Sequence, residues 1–268
     1  MLKHKSVCYN VSTDIEKEIL MQNYKMIIAY DGRKYKGFKK SKGNIEKSVQ
    51  GKLEQILMKL YEEEVEVISA VNTDAGVHAK GQVVSFNVPN KELNASEIRD
   101  YFEKYLTDDI IVLSVEAVGE RFHSRYNMKS ATYEYRLWKK DAPNRPLFER
   151  QFVNLMVQLL DVERMKKAAE DLIGEHDFIA FTTNKKTKKS IKNMISFDIK
   201  ETDYEIVITM TANGFLVNME KKIVGSLVQV GLKQIPIRAI ENAFEFKEPD
   251  SIGHISSASG LCLLSVQY

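Results

Sequence analysis

The order of its segments predicts an α+β protein with mainly antiparallel sheets. Three observations carry this. Several segments alternate apolar and polar residues with the two-residue period of a half-buried strand, and others repeat apolar residues at helical spacing. Both kinds are mixed in each half of the 268 residues, as expected of antiparallel sheets with helices packed on them.

Residues 1–23 are polar and weakly patterned and read as an extension, with a helix over 13–22. Tyr24 to Tyr30 is the first strand. Ile45, Val49, Leu53, Ile56, Leu57 and Leu60 then recur at helical spacing, separated by Gln50, Lys52, Glu54 and Lys59. Strands are predicted near 65–71 and 81–88, the second because Val84, Phe86 and Val88 alternate with Ser85 and Asn87. A helix from Ala95 to Leu106 follows with Asn94 as its cap, then a strand from Ile110 to Val118. In the second half, Ala131 to Lys139 places Tyr133, Tyr135 and Leu137 on one strand face and Glu134, Arg136 and Trp138 on the other. Asp161 caps a helix bearing Val162, Met165, Ala169 and Leu172, which ends at Gly174. Strands at 191–202 and 204–211, helices at 217–230 and 237–246, and a strand at 261–266 complete the chain.

Composition excludes several classes. A hydrophobic content of 44% and a charged content of 28% are ordinary for a globular protein. No apolar run approaches the ~20 residues of a membrane span, and the N-terminus lacks the apolar core of a signal peptide. A cytoplasmic protein without membrane association is expected. The two cysteines, Cys8 and Cys262, lie at opposite ends with no metal-ligand spacing, so both are expected as free thiols, and no metal site is expected. The net charge of +2 gives little general attraction to a polyanion, so any nucleic-acid surface must be locally basic.

The most informative stretch is Asn72-Thr73-Asp74-Ala75-Gly76-Val77-His78, a polar loop between two apolar runs. It holds one carboxylate where a strand ends. Asp-Ala-Gly is also good turn chemistry, because Asp bonds its own backbone and Gly supplies a positive φ. Asp74 is therefore either a turn residue or a nucleophile.

Asp31-Gly32, Tyr35-Lys36-Gly37-Phe38, Ser48-Val49-Gln50, Thr73 to Ala79 and Gly81-Gln82-Val83 occur in an order that resembles the tRNA pseudouridine synthase A family. Later anchors are Phe122-His123-Ser124-Arg125, Tyr133-x-Tyr135, Asn213-x-Phe215, Met219, Ile223-Val224-Gly225-Ser226-Leu227, Ala258-x-Gly260-Leu261 and Val266-x-Tyr268. The resemblance covers residues 24–268. It implies two RRM/ferredoxin-like domains, 24–127 and 128–268, whose sheets join into one with the active cleft between them. It also implies a homodimer acting on tRNA without a cofactor, making pseudouridine at positions 38–40 of the anticodon arm.

Carried over residue by residue, the resemblance makes Asp74 the nucleophile; attack at the base and attack at the sugar both stay open. An ionised carboxylate suits that role because it can form and release an ester-like adduct. Tyr133 matches the family's active-site tyrosine, which stacks on the base and is a candidate general base. On periodicity alone it is a strand tyrosine pairing with Tyr135. Lys221 lies among valines on a helix apolar on both faces, so it either snorkels or finds a carboxylate. Its position matches the family's basic partner of the catalytic Asp, which implies an Asp74–Lys221 ion pair.

Two departures stand out. The family has Arg where this chain has Lys221, which keeps the charge but loses the planar fork. It also has Arg where this chain has Asn72, a residue that cannot stack as a guanidinium does beside a displaced nucleotide. A second reading follows, a catalytically impaired RNA-binding relative. For the RNA, Lys36, Phe38, Lys39 and Lys40, accompanied by Lys34, Tyr35 and Lys42, form one basic loop, and Lys185, Lys186, Lys188 and Lys189 with Lys192 form another. Arg125 and His78 complete the expected substrate contacts, His78 as a hydrogen-bonding loop residue. A hydrolase using Asp74 with His78 or His123 is a third reading, for which no nucleophile elbow is present.

Overall fold

In a computed structural model of the protein, the described residues are 21–89, 93–184, 186–247 and 252–268. Among them the strands are β1 (Met21–Tyr30), β2 (Ile68–Ser69), β3 (His78–Pro89), β4 (Ile110–Val118), β5 (Ser130–Trp138), β6 (Asn154–Leu155), β7 (Gly174–Asp177), β8 (Ile191–Glu201), β9 (Glu205–Ala212) and β10 (Leu261–Gln267). The α-helices are α1 (Val49–Tyr61), α2 (Ala95–Tyr105), α3 (Val162–Ala169), α4 (Met219–Gly231) and α5 (Ala239–Phe246).

All ten strands belong to one sheet in the order β4-β1-β3-β10-β5-β9-β8-β7, with β2 paired to β3 and β6 to β5. The α+β expectation holds, and the sheet is mainly antiparallel. Its join is the C-terminal strand: β10 runs antiparallel to β5 and parallel to β3, placing Cys262 opposite His78 and Leu263 opposite Ala79. The last seven strand residues of the chain thereby fasten its two halves together.

Alternation reads out directly as burial. Ile206, Ile208, Met210 and Ala212 of β9 are buried beside Ala131, Tyr133, Tyr135 and Leu137 of β5. On α1 the Ser48 side chain accepts from the Gly51 N–H, and Val49, Leu53, Ile56 and Leu57 turn inward. On α2 a capping box forms between Asn94 and Glu97, which satisfies two end donors that the helix leaves open. The Asp161 side chain caps α3 through the Arg164 N–H.

Several expectations are corrected. β1 starts at Met21, because Met21 and Gln22 pair with Pro89 and Val88; the expected helix is thus a strand at its last two residues, and its remainder, 13–20, lies outside the described residues, as does Cys8. The strand expected over 65–71 shrinks to two residues. Val65 and Val67 are buried, but the Val67 N–H donates to Glu54 and its carbonyl accepts from Gln50, so α1 side chains take the place of a ladder. Ile45 sits in a separate 3-10 turn before α1. β3 begins at His78 rather than 81, since its first residues pair with β10. α3 stops at Ala169 and passes through a 3-10 turn to Leu172, so Gly174 opens β7 with a φ of 102°. Tyr204 is half exposed and precedes β9. Cys262 is a free thiol.

Candidate active site

Asp74 sits in the loop joining β2 to β3, and the bonds fixing that loop come from the motifs around it. The Phe38 N–H donates to the Thr73 carbonyl at 3.0 Å, and the Gly76 N–H donates to the Tyr35 carbonyl at 3.2 Å. The Tyr30 hydroxyl and Thr73 Oγ1 are 2.7 Å apart in the core. Gly76 turns the chain at a φ of 80°, a conformation glycine reaches without strain. A Cβ on Gly32 would lie 2.0 Å from the Val77 carbonyl oxygen, so only glycine lets the loop pack this closely. Most of the early sequence motif is therefore scaffold that aims one carboxylate.

What Asp74 meets is the first turn of α4. Lys221 Nζ lies 2.8 Å from Asp74 Oδ2, with the lysine side chain 8% exposed and the aspartate 34%. Lys221 thus finds a carboxylate instead of snorkelling, as expected from an ammonium placed among apolar neighbours. α4 is locked in place nearby: a Cβ on Gly225 would stand 1.9 Å from the His254 carbonyl oxygen, and the Ser256 N–H donates to the Lys221 carbonyl.

Asp74 lines a cavity of about 580 Å³ whose wall also includes Asn72, Arg125, Tyr133, Phe215 and Glu220, with Lys221 behind the carboxylate. Its size is within the ~300–1,000 Å³ usual for small-molecule sites. Tyr133 is buried, with its ring edge-on to Phe215 at 5.0 Å between centroids. Burial first, then the charges of Glu220, Tyr30 and Asp74, push the Tyr133 hydroxyl well above its usual range. A tyrosine held that way does not ionise near neutrality, so it is no general base by itself.

The other sequence candidates divide. Lys36, Lys39, Asn72 and Arg125 line the same cavity. Asn72 Oδ1 accepts from Arg125 Nη2 at 3.1 Å and from Ser69 Oγ at 3.0 Å. Three candidates go elsewhere. Phe38 is buried in the core, tilted against Tyr30, and cannot stack on a base. Lys40 is paired with Glu54 at 2.5 Å. His78 is a buried β3 residue in the wall of a separate, smaller cavity, accepting from the Gly32 N–H through Nδ1. His123 accepts from the Arg125 and Tyr126 N–H groups and is not in the Asp74 cavity wall, which removes the geometry a hydrolase would need. Lys186, Lys188 and Lys189 are in a turn segment before β8 and do not line the cavity, while Lys185 lies outside the described residues.

Two further lining residues differ from expectation, Lys192 in its place and Glu220 in having no role assigned from sequence. Lys192, expected in the second basic loop, is the second residue of β8, and burial together with Lys189 lowers its proton affinity. Glu220 is buried beside Lys221, and its carboxyl is pushed up to about 8, by burial first and then by the charge of Asp74, against pulls from its own backbone N–H, from Lys221 and from Tyr133. The signal for it was present: three successive ionisable residues, Glu220, Lys221 and Lys222, open a helix that is otherwise uncharged. No cluster of metal-ligating side chains occurs among the described residues, and no described helix is long and apolar enough to cross a membrane.

The family model described as tRNA pseudouridine synthase matches residues 26–127 and 168–268. The chain is 40% identical over 249 residues to tRNA pseudouridine synthase A 2 of Bacillus cereus, covering 92% of this chain and 100% of that protein. The protein of the same name from Bacillus anthracis matches at 40% with the same coverage. tRNA pseudouridine synthase A 1 of Clostridium tetani matches at 39% over 249 residues, again across its full length.

Proposed function

The chain belongs to the tRNA pseudouridine synthase A family, and from that premise we propose how its cleft isomerises uridine to pseudouridine in tRNA. The reaction breaks the C–N glycosidic bond, turns the base and rejoins it through carbon. Asp74 is the nucleophile. The observation that supports this most directly is its carboxylate in a cavity wall, 2.8 Å from a buried ammonium and beside Tyr133. Lys221 supplies the counter-charge that keeps the carboxylate in place, and Tyr133 provides a flat apolar face for the base once it leaves the helical stack. Lys36, Lys39 and Lys192 neutralise phosphates at the mouth. Arg125, held on Asn72 and on the Ser69 carbonyl, sets a guanidinium beside the loop that lacks the family's Arg at 72.

The finer points of the reading are these. The target uridines lie at positions 38–40 of the anticodon arm. Residues 24–127 and 128–268 act as two domains with the cleft between them, and the protein works in the cytoplasm as a homodimer. Turnover, rather than binding alone, is favoured by the intact Asp74–Lys221 pair. Release of tritium from tRNA labelled at uridine C5 tests the activity, because isomerisation frees that hydrogen and binding does not. Asp74→Ala is expected to abolish release, and a variant that retains it overturns the nucleophile.

A further inference from the structure

Resting on that reading of the cleft, we propose that Glu220 is the terminal acceptor for the proton lost from uridine C5, reached through the hydroxyl of Tyr133. Glu220 lines the same cavity as Asp74 and Tyr133, is buried, and lies near enough to Tyr133 for each to shift the other's proton affinity. It is a carboxyl group in a place where the nucleophile does not need one, since Asp74 already has Lys221.

The chemistry requires such a group. When the base rejoins the ribose through C5, that carbon carries both the new C–C bond and its original hydrogen. The C5–H bond then breaks and its electron pair forms the C5=C6 double bond. The displaced C6=N1 pair settles on N1, which takes a proton from water reaching the open cavity. The C5 proton passes to Tyr133 Oη as the tyrosine's own proton passes to the Glu220 carboxylate, and Glu220 later returns it to the same water. No proton is gained or lost over the cycle.

Tyr133 cannot accept the proton alone, because burial and the negative groups around it oppose its ionisation. Asp74 is committed to the ion pair. Glu220 releases its own proton near pH 8, close enough to neutrality for efficient exchange. The groups that set this are Asp74 from the β2–β3 loop, Tyr133 from β5 with Tyr30 of β1 behind it, and Lys221 on its own helix. Lys36, Lys39, Arg125 and Lys192 add positive charge elsewhere around the cavity wall. Glu220 acts through Tyr133 and is therefore a positioning and relay residue, not one that touches the reacting carbon.

The test is the single-turnover rate of tritium release from C5-labelled tRNA, followed from about pH 6 to pH 9 in the wild type and in Glu220→Gln. The wild-type rate is expected to rise as the carboxylate forms and to level off above about pH 8. Glu220→Gln is expected to be about 10²-fold slower, the usual worth of a general base, and to lose that rise. A wild-type rate in Glu220→Gln, or a rise that survives in it, overturns the assignment. A tRNA carrying 5-fluorouridine has no hydrogen at C5, so both proteins should form their complex with it equally fast; a variant slow on that probe also overturns it. Should the variant not fold, the wild-type profile still decides, since a flat one is incompatible with the proposal. A wild type that releases no tritium at all instead overturns the synthase reading itself.

Discussion

Replacing Glu220 by Gln should stabilise the protein, and by more as the pH rises. The carboxyl holds its proton in the folded state up to about pH 8, against an ordinary value of 4.5. Between those values the unfolded chain has released the proton and the folded chain retains it, so the folded state binds more protons and stability falls with rising pH. Each pH unit inside that window is worth about 1.4 kcal/mol, which makes the loss on the order of 3 kcal/mol between about pH 5 and pH 8. Gln has the same shape and does not titrate. Urea unfolding of both proteins across this range isolates the single group, because every other titrating residue is common to both. The expected result is a stability difference that moves toward the variant by on the order of 3 kcal/mol from about pH 5 to pH 8. A difference that stays constant would show that Glu220 ionises as an exposed carboxylate does, and the argument from its burial would fail.

Lys221→Met removes the counter-charge that lies 2.8 Å from Asp74 and should slow tritium release about 10²-fold in a folded protein, whereas Lys221→Arg should retain most of the rate. Asn72→Arg should lower the rate despite restoring the residue type of the family, because it removes the acceptor for Arg125 and Ser69 and sets two cations side by side; a faster variant would refute this. Lys36→Ser with Lys39→Ser should reduce the slope of log affinity for tRNA against log salt by roughly 1–2, whereas Lys40→Ser, already paired with Glu54, should leave it nearly unchanged.

The fold was legible wherever a segment is half buried. β4, β5, β8, β9 and the capped helix α2 fall within one or two residues of expectation, as does the capped start of α3, because alternation and end caps are local properties. What sequence could not give was set by partners distant along the chain. The shortening of β2 depends on Glu54 and Gln50 taking the Val67 backbone, and the early start of β3 depends on a strand nearly two hundred residues later. The two-residue β6 has no pattern of its own and exists only as an addition to β5.

The site divides by the same rule, with one difference that bears on the chemistry. Asp74 and Lys221 were found because they match a motif, and their meeting follows from packing a polar loop against a helix that has no solvent face. Phe38 and His78 match the motif equally well yet brace the loop from behind, so a family pattern marks scaffold as readily as chemistry. Glu220 was passed over because a Glu beside two lysines at a helix start reads as an ordinary solvated first turn favoured by the helix dipole. Only the burial of all three side chains makes that reading fail. A cavity with one carboxylate paired to a cation and a second that exchanges its proton near pH 8 holds one group for attack and another for proton transfer. Two such groups are what an isomerisation that both attacks and deprotonates requires. Keeping a buried carboxyl at Glu220 at the cost to stability argued above is the trade expected of a group whose proton is used.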